Sequence, residues 1–127
     1  MSALSNHAES LLMTWLMTGD SATRPSAWYV ALHTGDPGET GASGEVSGNG
    51  YARQAATWNT VSGGATDNAS AVTFTAAGGG WGTITHASIW SAASGGNCFW
   101  KGAVTNKTVA DGDSYQFAAG ALDVSLD

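Results

Sequence analysis

The sequence predicts a mainly β protein: an antiparallel β-sandwich or flattened barrel of about seven strands, preceded by one N-terminal amphipathic helix. Three observations lead there. Eighteen of the 127 residues are glycine and only 11% are charged, a composition of short strands and tight turns rather than of helices. From residue 27 onward apolar residues come at period two, or in short runs broken by glycine, as strands require. Before that point lies one stretch with apolar residues at helical spacing. The length suits one core and not two, so a single domain is expected over 1–127, with a docking helix within 1–20 and the β body at 27–127.

Ala8, Leu11, Leu12, Trp15 and Leu16 fall on one face of a helix over 6–18. Asn6 is placed to cap its N-terminus with Glu9 as reciprocal partner, and Gly19 sits where a left-handed C-terminal cap belongs. A helix of this length is marginal alone in water. Its apolar stripe must therefore dock on the sheet or on a neighbouring subunit, which makes Leu11, Leu12, Trp15 and Leu16 candidate contact residues.

The first strand is read at 27–33, where Trp28, Tyr29, Val30 and Leu32 make an aromatic and β-branched run. Asp36-Pro37-Gly38 stops it, because proline presets φ at the second turn position and glycine supplies the positive φ of the third. The loop from Thr34 to Gly50 is long and acidic, with Asp36, Glu39 and Glu45. Loops of that length inside a compact domain are functional or disordered, so these carboxylates, with Tyr51 and Arg53 beyond them, are candidate contacts. Further strands are expected at 51–59, 69–76, 83–91, 97–105, 114–118 and 121–126. Gly78, Gly79 and Gly80 form a corner before Trp81, another candidate contact. In the last strand Leu122, Val124 and Leu126 alternate with Asp123, Ser125 and Asp127, half buried and half wet.

Charge and chemistry narrow the function. The formal net charge is −6, and Arg24, Arg53, Lys101 and Lys107 are scattered, whereas nucleic-acid binding needs clustered cations. Residues 6–16 mix apolar with polar side chains and no basic run precedes them, so neither a secretory signal nor a membrane span is expected. Cys98 stands alone, which excludes an intrachain disulfide, and no Cys/His pair has zinc spacing. His7, His33 and His86 belong to three different elements, and no G-x-S-x-G elbow occurs. The chain is read as a non-enzyme with no catalytic, cofactor or metal residues. Asp111 and Asp113 and the acidic loop could offer oxygens to calcium, but without the spacing of a calcium loop they read as turn carboxylates. The N-x-S/T triplets at Asn68 and Asn106 carry no weight without a signal peptide. Six tryptophans, at 15, 28, 58, 81, 90 and 100, are mostly core or interface. One or two facing outward would make a carbohydrate-binding module the rival reading.

Six ordered segments carry a family resemblance: Trp28 to Glu39, Glu45 to Ala55, Ser62 to Thr66, Trp81 to His86, Ala93 to Asn97, and Ala119 to Asp127. Through them the chain resembles, over nearly its full length, short bacteriophage structural proteins described as phage tail fibre proteins. The resemblance implies a virion component with no catalytic residues to carry over, made in the bacterial host cytoplasm. A compact β domain with a docking helix and no shaft repeats suits a tail-fibre part, or equally a capsid decoration (cement) protein. Virion appendages are symmetric, and closed symmetry needs a self-complementary or ring-forming patch. A homotrimer is therefore expected, attached to other capsid or tail proteins through the helix and the 34–50 loop. Deleting Gly38 to Gly48 is expected to spare folding and reduce incorporation into particles. Carbohydrate binding for host adhesion is the alternative.

Overall fold

A computed structural model describes residues 3–126. Residues 1 and 2 of the expected N-terminal segment, and Asp127 at the end of the last alternation, lie outside the described residues. In chain order the elements are β1 (Ala3–Leu4), α1 (Asn6–Thr18), β2 (Trp28–His33), β3 (Gln54–Ala56), β4 (Ala65–Asp67), β5 (Val72–Thr75), β6 (Gly82–Trp90), β7 (Cys98–Val109), β8 (Ser114–Phe117) and β9 (Asp123–Ser125). All pairing is antiparallel. One sheet has the order β1-β7-β6-β2-β3, and the other four strands make two ribbons, β4-β9 and β5-β8. The protein is thus mainly β with one N-terminal helix, as expected, but the sheets do not close into a barrel. Each expected strand has a counterpart, with 51–59 shrinking to Gln54–Ala56 and 97–105 growing to Cys98–Val109. β1 and β4 are additional, and at two and three residues they are too short to carry a period.

The register explains why β2 is so deeply buried. Val30 pairs with Ile89, Leu32 with Ala87, and Ile89 in turn with Trp100. Side chains alternate across a strand, so these residues share one face with Trp28. Ala31, His33, His86, Ser88, Trp90 and Lys101 share the other. Val30, Ala31, Leu32 and His33 are all 0% exposed, which requires cover on both faces. On the first face, Phe74 and Val72 of β5 and Tyr115 and Phe117 of β8 pack with Val30, Leu32, Ile84 and Ala87 as the main core. Full burial of each such large side chain contributes roughly 1.5–3 kcal/mol.

Asn68 ties the ribbons to this core. It is fully buried, donating from Nδ2 to the carbonyls of Ser70 and Ala118 at 2.9 Å, while Oδ1 accepts the Leu122 amide at 2.8 Å. The residue read only as a glycosylation triplet is a structural hub. The Gly78–Gly80 corner is there too: a Cβ on Gly80 would lie 2.7 Å from the Val109 carbonyl oxygen, so the backbones meet where only glycine fits.

The helix is capped one residue earlier than expected. Ser5, extended at φ −77° and ψ 163°, is the N-cap, and its hydroxyl accepts the Ala8 amide at 3.2 Å while donating to the Cys98 carbonyl. Asn6 is instead the first helical residue, and Glu9 sits in the first turn without the reciprocal role. Ser5 wins because it is also buried against β7, a tertiary contact that no local pattern shows. Gly19 caps the C-terminus in the left-handed region at φ +75°, as expected.

Candidate functional site

The chain between β2 and β3 is a cover plate on the second face of the sheet. The Ser43, Thr34, Gly41 and Val46 amides donate to the carbonyls of Pro37, Gly44, Gly38 and Leu32, each at 3.0 Å, and the Asn6 amide reaches the Glu39 carbonyl at 3.0 Å. Pro37 and Gly41 are buried. The Asp36 turn forms, with Gly38 at φ +75° and its amide 2.9 Å from Asp36 Oδ1. Gly41 is required twice over. Its φ is +74°, and a Cβ there would lie 2.5 Å from Cys98 Sγ and 3.0 Å from Trp90.

Under this plate His33 is wholly buried and doubly bonded. Nδ1 lies 2.8 Å from the Ser43 carbonyl oxygen and Nε2 lies 2.7 Å from Ser88 Oγ, which also accepts the Trp90 indole N–H at 2.7 Å. A carbonyl can only accept, so Nδ1 carries the proton and Nε2 accepts the Ser88 hydroxyl. Burial is the main reason that the His33 pKa is lowered, against the opposing pull of the Ser43 carbonyl and Glu45. Ser88 and His33 have the reach of a nucleophile and its base. Both are 0% exposed; their bond ties β2 to β6, and the His33 bond to Ser43 fastens the plate to the sheet. The register also sets His86 opposite His33, which spacing did not reveal. Among the described residues no three His, Cys, Asp or Glu side chains group as metal ligands. Asp111 Oδ1 and Asp113 Oδ2 accept the Gly78 and Ala110 amides at 3.0 and 3.1 Å, the work of turn carboxylates.

Arg53 is the second fastening. Nε and Nη2 grip Glu45 in a two-pronged pair at 2.9 Å each, Nη1 donates to the carbonyls of Ala92 and Gly95 at 3.0 and 2.8 Å, and the guanidinium lies 3.9 Å from the Trp90 ring centre. Tyr51 donates to Glu45 Oε2 at 2.8 Å and accepts the Leu32 amide at 3.1 Å. Burial alone would raise the Glu45 pKa, but the bonds from Arg53 and Tyr51 outweigh it and hold it below the usual carboxylate value. Burial also pushes the Tyr51 phenol up, and the Cys98 thiol up to about 11. Glu45, Tyr51 and Arg53, expected as surface contacts, are therefore internal fastenings. Trp81 is corrected likewise: it is 7% exposed, packs in the core edge-on to Tyr51, and donates to the Asn49 carbonyl. Asp36 and Glu39 do remain at the surface, 3.6 and 3.5 Å from Lys101 Nζ. The Gly38 amide first, then Lys101, lowers the Asp36 pKa.

The first face is different at its upper end. Trp90 pairs with Cys98 but Ile89 pairs with Trp100, so Phe99 is an extra residue in β7, a bulge of the kind that re-aims side chains. Trp28, Phe99 and Trp100 consequently gather, with ring centres 4.9 to 6.3 Å apart. Around them lie two apolar troughs. One, of about 260 Å³, is bounded by Trp28, Trp58, Val61, Ile89, Trp100, Val124 and Leu126. The other, of about 220 Å³, runs under the helix past Leu11 and Leu12 and shares Trp28, Trp100 and Leu126. Leu11 and Leu12 thus dock on the chain's own sheet. Trp15 and Leu16, next in the same stripe, are 53% and 64% exposed. Nothing in the sequence distinguished the two pairs, because the stripe is continuous and only the position of β7 decides where its support ends.

A family described as podophage GP4 fiber I protein gp80 has a model that matches residues 3–125 of this chain. A comparison with curated proteins finds no match.

Proposed function

The chain belongs to the podophage GP4 fiber I protein family and is a bacteriophage fibre structural protein; we propose that it works there without catalysis, as an oligomeric subunit whose task is to hold one protein against another. One observation carries this reading. The stripe that docks Leu11 and Leu12 on the sheet continues through Trp15 and Leu16 into solvent, while Glu45, Tyr51, Arg53 and His33 are consumed inside the molecule. What the surface offers is apolar area, and apolar area is the material of subunit contacts.

A trimer is the favoured order, since appendages are built on closed symmetry. Light scattering on the purified protein at micromolar concentration is expected to return the mass of three chains, and a monomer under those conditions overturns the oligomeric reading. On particles the chain should co-purify in fixed stoichiometry, with copies on the tail. Copies on the capsid lattice would instead support the cement role. Nucleic acid and membrane are not expected partners, and among the described residues no helix is long and apolar enough to cross a membrane. Glycan adhesion is disfavoured by the tryptophan-lined trough itself. Besides carbon it presents little more than Thr66 and Ser125, whereas a sugar needs several convergent polar partners. Unchanged tryptophan fluorescence on adding host glycans is the expected outcome.

A further inference from the structure

We propose that the exposed end of α1 on one copy inserts into the apolar trough between β4-β9 and the Trp28 and Trp100 side chains of the next copy, head to tail. This rests on the oligomeric reading above and adds to it the surface and the symmetry of the contact.

The helix end is an unusual object for a protein surface. From Leu11 to Met17 every residue but Thr14 is apolar. Trp15 and Leu16 lie in line with the docked stripe, whereas Met13 and Met17 point to the opposite side and are 58% and 73% exposed. A helix that is apolar all round is one that is meant to be surrounded. A flat partner would cover one side of it and a concave one covers all. The trough is concave and about 260 Å³ in volume. Val61 and Leu126 stand at its lip, 66% and 50% exposed.

Area and charge both favour a second copy as occupant. Six large apolar side chains, four on the knob and two at the lip of the trough, are each left half to three-quarters in water. With the half-buried Trp28, Trp58 and Trp100 added, knob and trough together approach ~800 Å² over both partners, the size of a small interface, and in a ring each copy is held by two such contacts. Self-association of a chain with net charge −6 also requires that like charges stay out of the contact. Among the residues lining both troughs only Arg24 is charged, and Glu9, in the first helical turn, and Asp20, beyond the helix, both lie outside the run from Leu11 to Met17. Because knob and trough are different surfaces of one chain, the contact is heterologous, and such contacts close into rings when the rotation permits.

Two variants test this, both at exposed positions so that folding is spared: a knob variant, Trp15→Glu with Leu16→Glu, and a trough variant, Val61→Glu with Leu126→Glu. Circular dichroism should match the parent for each. The parent is expected to sediment as a closed oligomer, and each variant alone as a monomer, with at least a tenfold rise in the concentration needed for association. Mixed in equal amounts, the two variants should form a dimer and nothing larger, because one intact knob still meets one intact trough. If the parent is oligomeric and either variant remains so, the inference fails and the oligomeric reading stands. If both variants are monomers and their mixture also stays monomeric, head-to-tail insertion is overturned. A monomeric parent overturns both readings. If the knob variant then also drops out of particles, the occupant is another virion protein.

Discussion

The two faces of the central sheet solve the same problem in opposite ways. One is sealed by the chain's own 34–53 segment through polar fastenings: His33 to Ser43 and Ser88, Arg53 to Glu45. The other is covered by apolar packing of two ribbons, which stops short and leaves the Trp28 and Trp100 troughs open beside an uncovered helix end. A polar seal must be complete, because an unpaired buried group costs about 1–3 kcal/mol. An apolar face has no such constraint and can be left for a partner to finish. The sealed face is thus a stability device, and the open one is where the proposed assembly contact lies.

That contrast predicts where substitutions hurt. Removing the plate altogether should be worst. Deletion of Gly38 to Gly48 takes away Gly41, Ser43, Glu45 and Val46 together, and is expected to yield no cooperative unfolding transition by circular dichroism. This reverses the expectation drawn from the sequence that the loop is dispensable for folding. A deletion that melts normally would mean the plate is not part of the fold. Next, Arg53→Ala strands Glu45 and two carbonyls, and should lower stability in urea by about 3 kcal/mol, as breaking a largely buried pair does. Gly41→Ala forces a Cβ against Cys98 at an unfavourable φ and should cost about 2 kcal/mol in the same assay.

A gentler probe of the seal is acid. The folded pKa of His33 is lowered, so below its ordinary value near 6.5 the unfolded chain takes up a proton that the folded one refuses. The stabilisation is fully present above that pH and is lost as the pH falls below it. One proton limits the slope to about 1.4 kcal/mol per pH unit. Urea midpoints between pH 7.5 and 5.5 should show this decline, and His33→Gln should flatten it. The smallest effect on stability belongs to the open face. Trp15→Glu should change the monomer's unfolding free energy by less than about 0.5 kcal/mol, as surface changes do, while weakening association most. A large loss of monomer stability there would erase the distinction between the faces.

Much of this architecture was legible along the chain. The strand at Trp28 to His33, the turn at Asp36 to Gly38, the glycine corner before Trp81 and the helix with its Gly19 cap were all marked by local chemistry. Their physical causes act within a few residues: side-chain period, the fixed φ of proline, the positive φ of glycine. The candidate contacts were harder to assign. Asp36 and Glu39 looked no different from Glu45, and Trp81 no different from Trp15, since an acidic or aromatic residue has the same pattern whether it faces water or a partner folded over it. Asn68 and Ser88 gave no signal at all, because their partners lie 54 and 55 residues away.

The sequence by itself therefore determined the class of fold, most of its strands and, through six ordered segments, its kinship with phage fibre proteins. Those depend on short-range periodicity and on motifs read in order. Only the tertiary structure decided which carboxylate is paired inside and which is wet, that the long loop is hydrogen-bonded into a plate, and that the helix outruns its own sheet. Those are outcomes of long-range pairing, in which a shift of register in β7 at Phe99 sets Phe99 and Trp100 beside Trp28 of β2.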